Sequence, residues 1–426
     1  MIIKFTVGNY LSFKNKNTIT FETQNVEENP ESIFEKNNHQ YLKSCAIFGA
    51  NAFGKSNYIK AFDFMKKLIL DSYKDALNEQ PIPVQPYLLN TTTRNEPSFF
   101  EIIFLNKKNI QYRYNISIDK NKIYSENLYE KIQSKRPREK PVFERKKDNI
   151  NFGSGFKKYK KFETIKSNVL LLTKLGIETN EIDENIISWF KSFNIISGYD
   201  KSYGGYTRDQ IDNKANFKEK ILKYIKIADL GIENLEVEKH EITEAKDIPI
   251  QFANIIRDKK ITKIEKLTYL TKHKVYNNDN KHIEDISFIL DNQESRGTNH
   301  FFNLLGPIVD TLENGKVLIV DELETSIHPS ILKFIVKLFN SEKNQNDAQL
   351  IFTTHNTTLL DKNEIGKNHL RRDQIYFIDK NKYGESELFS LIEFKKKKIR
   401  KDENYLKNYL IGRYGAIPFI DEYLNE

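Results

Sequence analysis

Eight residues near the start of the chain, Gly49-Ala50-Asn51-Ala52-Phe53-Gly54-Lys55-Ser56, constrain the fold more than any other feature. They follow the apolar run Cys45 to Phe48 and precede a helical pattern of apolar residues at Ile59, Phe62, Met65 and Ile69. A glycine-containing turn between a buried strand and a helix points backbone N–H groups, and the positive end of the helix dipole, at phosphate oxygens. Gly49, Asn51 and Gly54 belong to that cradle. Lys55 is placed to reach the β- and γ-phosphates, and Ser56 to offer its hydroxyl to Mg²⁺. The segment implies an α/β chain that binds and hydrolyses ATP or GTP.

A distant segment supplies what such a loop lacks. Lys316-Val317-Leu318-Ile319-Val320 is a short, β-branched apolar run suited to a buried parallel strand, and it ends in Asp321-Glu322. Two adjacent carboxylates at the end of a buried strand are costly unless a cation or a reaction uses them. Asp321 suits the coordination shell of Mg²⁺, and Glu322, beside the metal, suits the base that orients and deprotonates the attacking water.

Further segments, taken in order, resemble the ABC-type ATPases of the SMC and RecF kind. Asn9-Tyr10-Leu11-Ser12-Phe13 with Ile19-Thr20-Phe21 is similar to their opening β-hairpin. Glu294-Ser295-Arg296-Gly297-Thr298, before the helical run His300 to Leu312, resembles a degenerate signature segment. Leu323-Glu324-Thr325-Ser326 with His328-Pro329 resembles their D-loop, and Ile351-Phe352-Thr353-Thr354-His355 a strand ending in the switch histidine. The signature form, together with Leu370 to Phe377 and Tyr409 to Pro418, narrows the resemblance to bacterial AAA-family ABC-type ATPases similar to abortive-infection and RloA-like proteins and the ATPase half of OLD-family proteins. About 70 residues follow His355, too few for the Toprim nuclease domain of full OLD proteins.

The resemblance implies a two-site cycle. ATP held by Lys55 and Ser56 of one head is covered by Ser295, a phosphate contact, and Gly297, a close-approach glycine, of another. His355 then contacts the γ-phosphate or the attacking water, and Gln85 is a candidate ligand of Mg²⁺ or water. Arg296 and Thr298 depart from the common Ser-Gly-Gly-Gln pattern, which leaves the strength and donor of the trans contact open. A helix-capping Ser/Thr segment would read the same way. The choice of ATP over GTP also comes from the resemblance.

The fold expected is α/β: an ABC-type P-loop ATPase head with an inserted antiparallel-strand and short helical-arm region. Residues 1–105 and 286–426 are read as the two parts of the head, because Lys55 and Asp321 must meet, and 106–285 as the insertion. Within it, Ile110, Tyr112, Tyr114, Ile116 and Ile118 alternate with polar residues as in a half-buried strand, with Phe99 to Phe104 and Lys122 to Tyr129 as neighbours. Phe162 to Leu175, Ile182 to Phe193, and the face Phe217, Ile221, Ile225, Ala228 read as helices. Ser202-Tyr203-Gly204-Gly205-Tyr206 reads as a loop, and Leu235 to Val237 and Ile261 to Tyr276 as strands. No heptad repeat predicts a long coiled coil.

Composition fits this reading. The single cysteine, Cys45, excludes an intrachain disulfide and is expected to be a buried apolar residue. No run has the length of a membrane span or the pattern of a secretory signal, so a cytoplasmic protein without a membrane partner is expected. The net charge of +8, with dense runs at Lys395 to Lys401 and Lys135 to Lys140, makes nucleic acid a candidate partner, although a solvated lysine-rich surface explains it equally. Three functions remain open: an ATPase controlling a separately encoded effector, such as a nuclease, in antiphage defence; a DNA-repair or DNA-maintenance ATPase; and a nucleotide-gated scaffold with negligible turnover. A homodimer or higher homo-oligomer is expected in each.

Overall fold

The computed structural model describes residues 1–77, 80–132, 138–162, 164–198, 203–228, 230–241, 265–362, 366–396 and 403–417. The chain begins with β1 (Ile2–Gly8) and β2 (Asn17–Thr20), an antiparallel pair whose connection carries Asn9 and Leu11 at positive φ. β3 (Ile33–Lys36) and β4 (His39–Leu42) form a separate two-stranded ladder. β5 (Ser44–Phe48), buried throughout, runs into the glycine loop, and α1 (Lys55–Leu77) follows. Next come β6 (Ser98–Leu105), β7 (Gln111–Ile118), β8 (Ile123–Lys131), β9 (Lys140–Lys146) and β10 (Asn149–Phe152). α2 (Leu171–Glu178), helical turns from Asn180 to Lys191 and β11 (Asn194–Ser197) complete this stretch.

α3 (Tyr203–Asn213), α4 (Ala215–Ile227), β12 (Asn234–Glu241), β13 (Glu265–Tyr276) and β14 (His282–Ile289) come next, and α5 (Arg296–Asn314) follows them. The rest alternates as β15 (Val317–Asp321), α6 (Pro329–Asn340), β16 (Gln349–Thr354), β17 (Ile375–Lys380), β18 (Ser386–Ser390) and α7 (Tyr405–Leu410).

The chain divides into two compact units, residues 1–199, 310–325 and 332–426 in one, and 200–309 with 326–331 in the other. The first holds two large sheets. One is antiparallel, in the order β10-β9-β8-β7-β6-β1-β2; the other runs β11-β15-β16-β5-β17-β18, parallel except for β18. β5 therefore sits in mid-sheet, which explains its uninterrupted burial. α1 packs through Phe62, which stacks on Phe5 at 3.7 Å between ring centroids, and through the Tyr58 hydroxyl, which donates to the Phe5 carbonyl at 2.9 Å. The helix that begins at the phosphate loop is thereby clamped to the antiparallel sheet.

β6 pairs with β1 on one side and β7 on the other. The strands from 98 to 152 thus continue the N-terminal sheet across the expected boundary at 105/106. The helix expected from Phe162 starts only at Leu171, where the buried Glu126 carboxylate accepts the N–H groups of Leu171 (2.7 Å) and Leu172 (2.8 Å) and so fixes its first turn.

In the second unit the packing groups 286–309 with the arm instead of the head. The segment read as a loop at 202–206 is, from Tyr203, the first turn of α3. Gly204 in α3 and Gly306 in α5 serve a close helix crossing. A β-carbon on Gly204 would stand 2.7 Å from Asn303 Oδ1, and one on Gly306 2.1 Å from Thr207 Oγ1. Pro307 in α5 has no N–H for the carbonyl one turn back, and that carbonyl, of Asn303, instead accepts the Thr207 hydroxyl. β12, β13 and β14 form an antiparallel sheet. Parts of the basic runs (135–137 and 397–401), Ile261 to Ile264 and Pro418 lie outside the described residues.

Candidate active site

The site is built where β5 turns into α1. Gly49 has φ +153°, and a β-carbon there would lie 2.6 Å from the Ile378 carbonyl oxygen of β17. Gly54 has φ +112°, with Ser386 Oγ and Ser12 Oγ at 2.5 and 2.7 Å from the same imagined atom. Only glycine fits at either turn. The loop is braced from both sides: Ser386 Oγ donates to the Phe53 carbonyl (2.6 Å), Lys380 Nζ to that of Ala52 (3.2 Å), and Asn57 Nδ2 to Ser12 Oγ (2.9 Å).

Lys55 is buried beneath this loop. Its Nζ donates to the carbonyls of Gly49 (2.9 Å) and Ala50 (3.1 Å) and lies 2.8 Å from His355 Nε2. Burial lowers its pKa to about 8, against the pull of Glu322, Glu324 and Asp321. His355 is held below the usual imidazole range, first by burial and then by the charge of Lys55. At neutral pH the pair is thus an ammonium donor facing a neutral imidazole.

The acidic turn is fixed by β16. Thr353 Oγ1 donates to Asp321 Oδ1 at 2.6 Å and accepts the Glu322 N–H at 2.7 Å, while Leu323 N donates to the Thr353 carbonyl at 3.2 Å. Glu322 itself adopts a left-handed φ of 55°. The Gly198 N–H donates to the Asp321 carbonyl at 2.7 Å, and a β-carbon on Gly198 would come within 2.3 Å of the Glu322 carbonyl oxygen. Glu324 Oε1 accepts the His355 N–H, and Glu324 Oε2 is buried with no hydrogen-bond partner among the described residues.

Asn51, Gly54, Lys55, Ser56, Glu322 and His355 line one cavity of about 120 Å³, which Ala52 and Asn57 complete. Asp321 adjoins it through Glu322, and Gly49 through its bond to Lys55. The oxygen donors of Ser56 and Asp321, with a buried carboxylate oxygen of Glu324 unmet nearby, suit a hard divalent cation such as Mg²⁺. Gln85 is not part of this group. It is exposed, lines a different cavity with Tyr10, Lys60, Asp63 and Phe64, and accepts the Leu11 N–H through its backbone carbonyl. Gln85 therefore lies apart from Ser56 and Glu322, in a cavity that holds none of the other candidate metal ligands.

In the second unit, Ser295 is the cap of α5: its Oγ accepts the Thr298 N–H at 3.0 Å and lies 2.8 Å from Thr298 Oγ1. A β-carbon on Gly297 would stand 2.8 Å from the Ser326 carbonyl oxygen of the same chain, a packing contact separate from the approach to another copy's nucleotide expected of this glycine.

A family model described as "AAA domain, putative AbiEii toxin, Type IV TA system" matches residues 45–186 and 191–361, spans that include Lys55, Ser295, Asp321, Glu322 and His355. The chain belongs to this AAA-domain family. No curated protein matches it. Among solved structures, the SMC head domain from Thermotoga maritima is similar, at 12% identity over 91% of this chain and 98% of that one, with a TM-score of 0.40. An SMC head bound to the C-winged helix domain of ScpA gives 12% identity, 91% and 97% coverage and 0.44. The recombination mediator RecF with ATPrS gives 13%, 91% and 98%, and 0.36.

Three residues at this AAA-domain site are not singled out by sequence reasoning. Thr353 and Glu324 lie inside motifs already noted, and the hydroxyl-bearing pair Thr353-Thr354 at the end of an apolar strand was the available signal. Gly198 carries no signal, because β11 is a four-residue strand whose place beside β15 depends on the tertiary fold.

Proposed function

We propose that this chain is a Mg²⁺-dependent ATPase whose nucleotide-gated dimerisation controls a separately encoded effector, a nuclease being the first candidate, in bacterial antiphage defence. One observation carries the catalytic part: Lys55, Ser56, Glu322 and His355 share a single cavity at the start of α1. Loop N–H groups and Lys55 bind the triphosphate. Ser56 and Asp321 hold Mg²⁺, which when bound neutralises charge on the phosphate oxygens. Glu322 takes a proton from the attacking water as that water's oxygen bonds to the γ-phosphorus and the bond to the ADP oxygen breaks. His355, already beside Lys55, is positioned to bond the γ-phosphate or the water.

For assembly, Ser295 and Gly297 of one copy cover the γ-phosphate held by another, so that hydrolysis removes the bridging charge and reopens the dimer. The family's description, which names an AbiEii toxin, supports a defence setting. The test is phosphate release by purified protein with Mg²⁺·ATP, against Lys55→Ala, with and without duplex DNA. Turnover lost in Lys55→Ala and indifferent to DNA is the expected outcome. Strong stimulation by DNA, weakened by salt, would favour a DNA-maintenance ATPase instead. Nucleotide binding with no phosphate release would favour a scaffold.

A further inference from the structure

β15 and β16 are parallel neighbours whose paired stretch ends with Val320 opposite Phe352. Beyond it β15 runs into the turn Asp321 to Glu324, and β16 into Thr353, Thr354 and His355. Three hydrogen bonds sew Asp321, Glu322 and Leu323 to Thr353. A fourth crosses between the same two segments, where Glu324 Oε1 accepts the backbone N–H of His355. His355 stands one residue past the end of β16, so the sheet no longer fixes its backbone, and Glu324 is the one acceptor of that N–H among the described residues.

The ring of His355 is held just as sparely. Among the described residues its one hydrogen-bond partner is Lys55 Nζ, 2.8 Å from Nε2 and 3.4 Å from Nδ1. Where the ring stands therefore follows from where the backbone at 355 stands. A carboxylate holds an N–H more tightly than a neutral acceptor does, but it is costly to bury, and Glu324 Oε2 is buried with no hydrogen-bond partner among the described residues. Stapling the turn does not call for that charge, because Thr353 already holds it by three bonds. Nor does contact with nucleotide, since Glu322 and His355 line the cavity at the start of α1 and Glu324 does not.

We propose that Glu324 is the positioning residue of His355, fixing the backbone from which the ring meets Lys55 and the γ-phosphate, and that its effect on turnover passes through His355. The part His355 plays in hydrolysis is the reading given above, on which this role rests. Glu324 itself touches neither nucleotide nor metal. Without its acceptor the His355 backbone is free to shift, and a displacement of about 1 Å in a positioned group slows chemistry by up to ~10²-fold.

The experiment compares the full-length parent with Glu324→Ala, Glu324→Gln, His355→Ala and the double variant Glu324→Ala/His355→Ala. Glu324→Ala should lower kcat by ~10–100-fold with the KM for ATP and the melting temperature unchanged. Glu324→Gln, whose amide oxygen can accept the same N–H, should recover part of that loss. The double variant should be no slower than His355→Ala, because residues that act as one unit are not additive. In nucleotide-free protein with labelled histidine, the NMR ring signal that His355→Ala removes should move in Glu324→Ala and move less in Glu324→Gln. Additive losses in the double variant, a loss in Glu324→Ala that excess Mg²⁺ repairs, or an unmoved ring signal overturns the proposal. A parent that releases no phosphate, or His355→Ala as fast as the parent, would retract the hydrolytic role of His355 instead, and the ring signal would still decide whether Glu324 places it.

Discussion

Lys55 Nζ lies 2.8 Å from His355 Nε2, although the two residues are 300 positions apart in the chain. The contact joins the glycine loop to the end of β16 and places the charge proposed to bind phosphate beside the group proposed to report on it. A γ-phosphate entering between them can take a hydrogen bond from both. Neither residue needs to move to another part of the fold.

The Lys55 pKa of about 8, lowered by burial, makes nucleotide affinity pH-dependent with a definite sign. Only the ammonium form attracts the triphosphate. Above pH 8 a proton must be taken up on binding, which weakens affinity by up to ~10-fold per pH unit. Titration of a fluorescent ATP analogue without Mg²⁺ should show affinity falling as pH rises through 8. Lys55→Arg, charged throughout, should bind with a flat profile. A flat profile in the parent would mean that another group carries the interaction.

Ser295 already caps α5, so a useful substitution must keep the cap while changing the charge. Aspartate does both, since it caps as well as serine but repels phosphate. Ser295→Asp should leave thermal stability and initial ATP binding unchanged and abolish ATP-dependent association in a Glu322→Gln background. Unaltered association by light scattering would show that Ser295 only caps the helix.

Glu126 and Arg145 form a fully buried ion pair at 3.4 Å. Burial pushes the Glu126 carboxyl up, and Arg145 with the N–H groups of Leu172 and Leu171 holds it down. Glu126→Ala strands the Arg145 charge and uncaps α2, at a cost of ~3–5 kcal/mol. Urea unfolding should show it as a lower midpoint, and a change within error would contradict this account of the α2 start.

The α3–α5 crossing depends on Gly306, where an added β-carbon meets both the Thr207 side chain and its Cα at 2.8 Å. Gly306→Ala should destabilise by ~1–3 kcal/mol, the usual range for overpacking. An unchanged melting temperature would mean that the two helices part without cost.

Lys55, Ser56, Glu322 and His355, which line one cavity, and Asp321 beside it stand out in the sequence because each motif joins a local pattern, an apolar strand with a turn, to a residue type that packing alone does not require. The same patterns place β5, α1, β15, α6 and β16. What escaped was decided by contacts distant in sequence. α2 begins where Glu126 caps it, α3 starts at Tyr203 where α5 packs against Gly204, and β11 is a strand because β15 lies alongside. Gln85 sits in a Pro-flanked loop, whose local sequence gives no indication of which cavity it will face.

The most direct test of the central claim is steady-state phosphate release by Glu322→Gln beside the parent protein, with ATP binding measured on the same samples. Glu322 is the one carboxylate that both lines the cavity and follows the proposed metal ligand. Replacing it removes the base and leaves the cradle. The account predicts turnover lower by ~10²-fold or more with ATP affinity preserved. Equal turnover by the two proteins would contradict it.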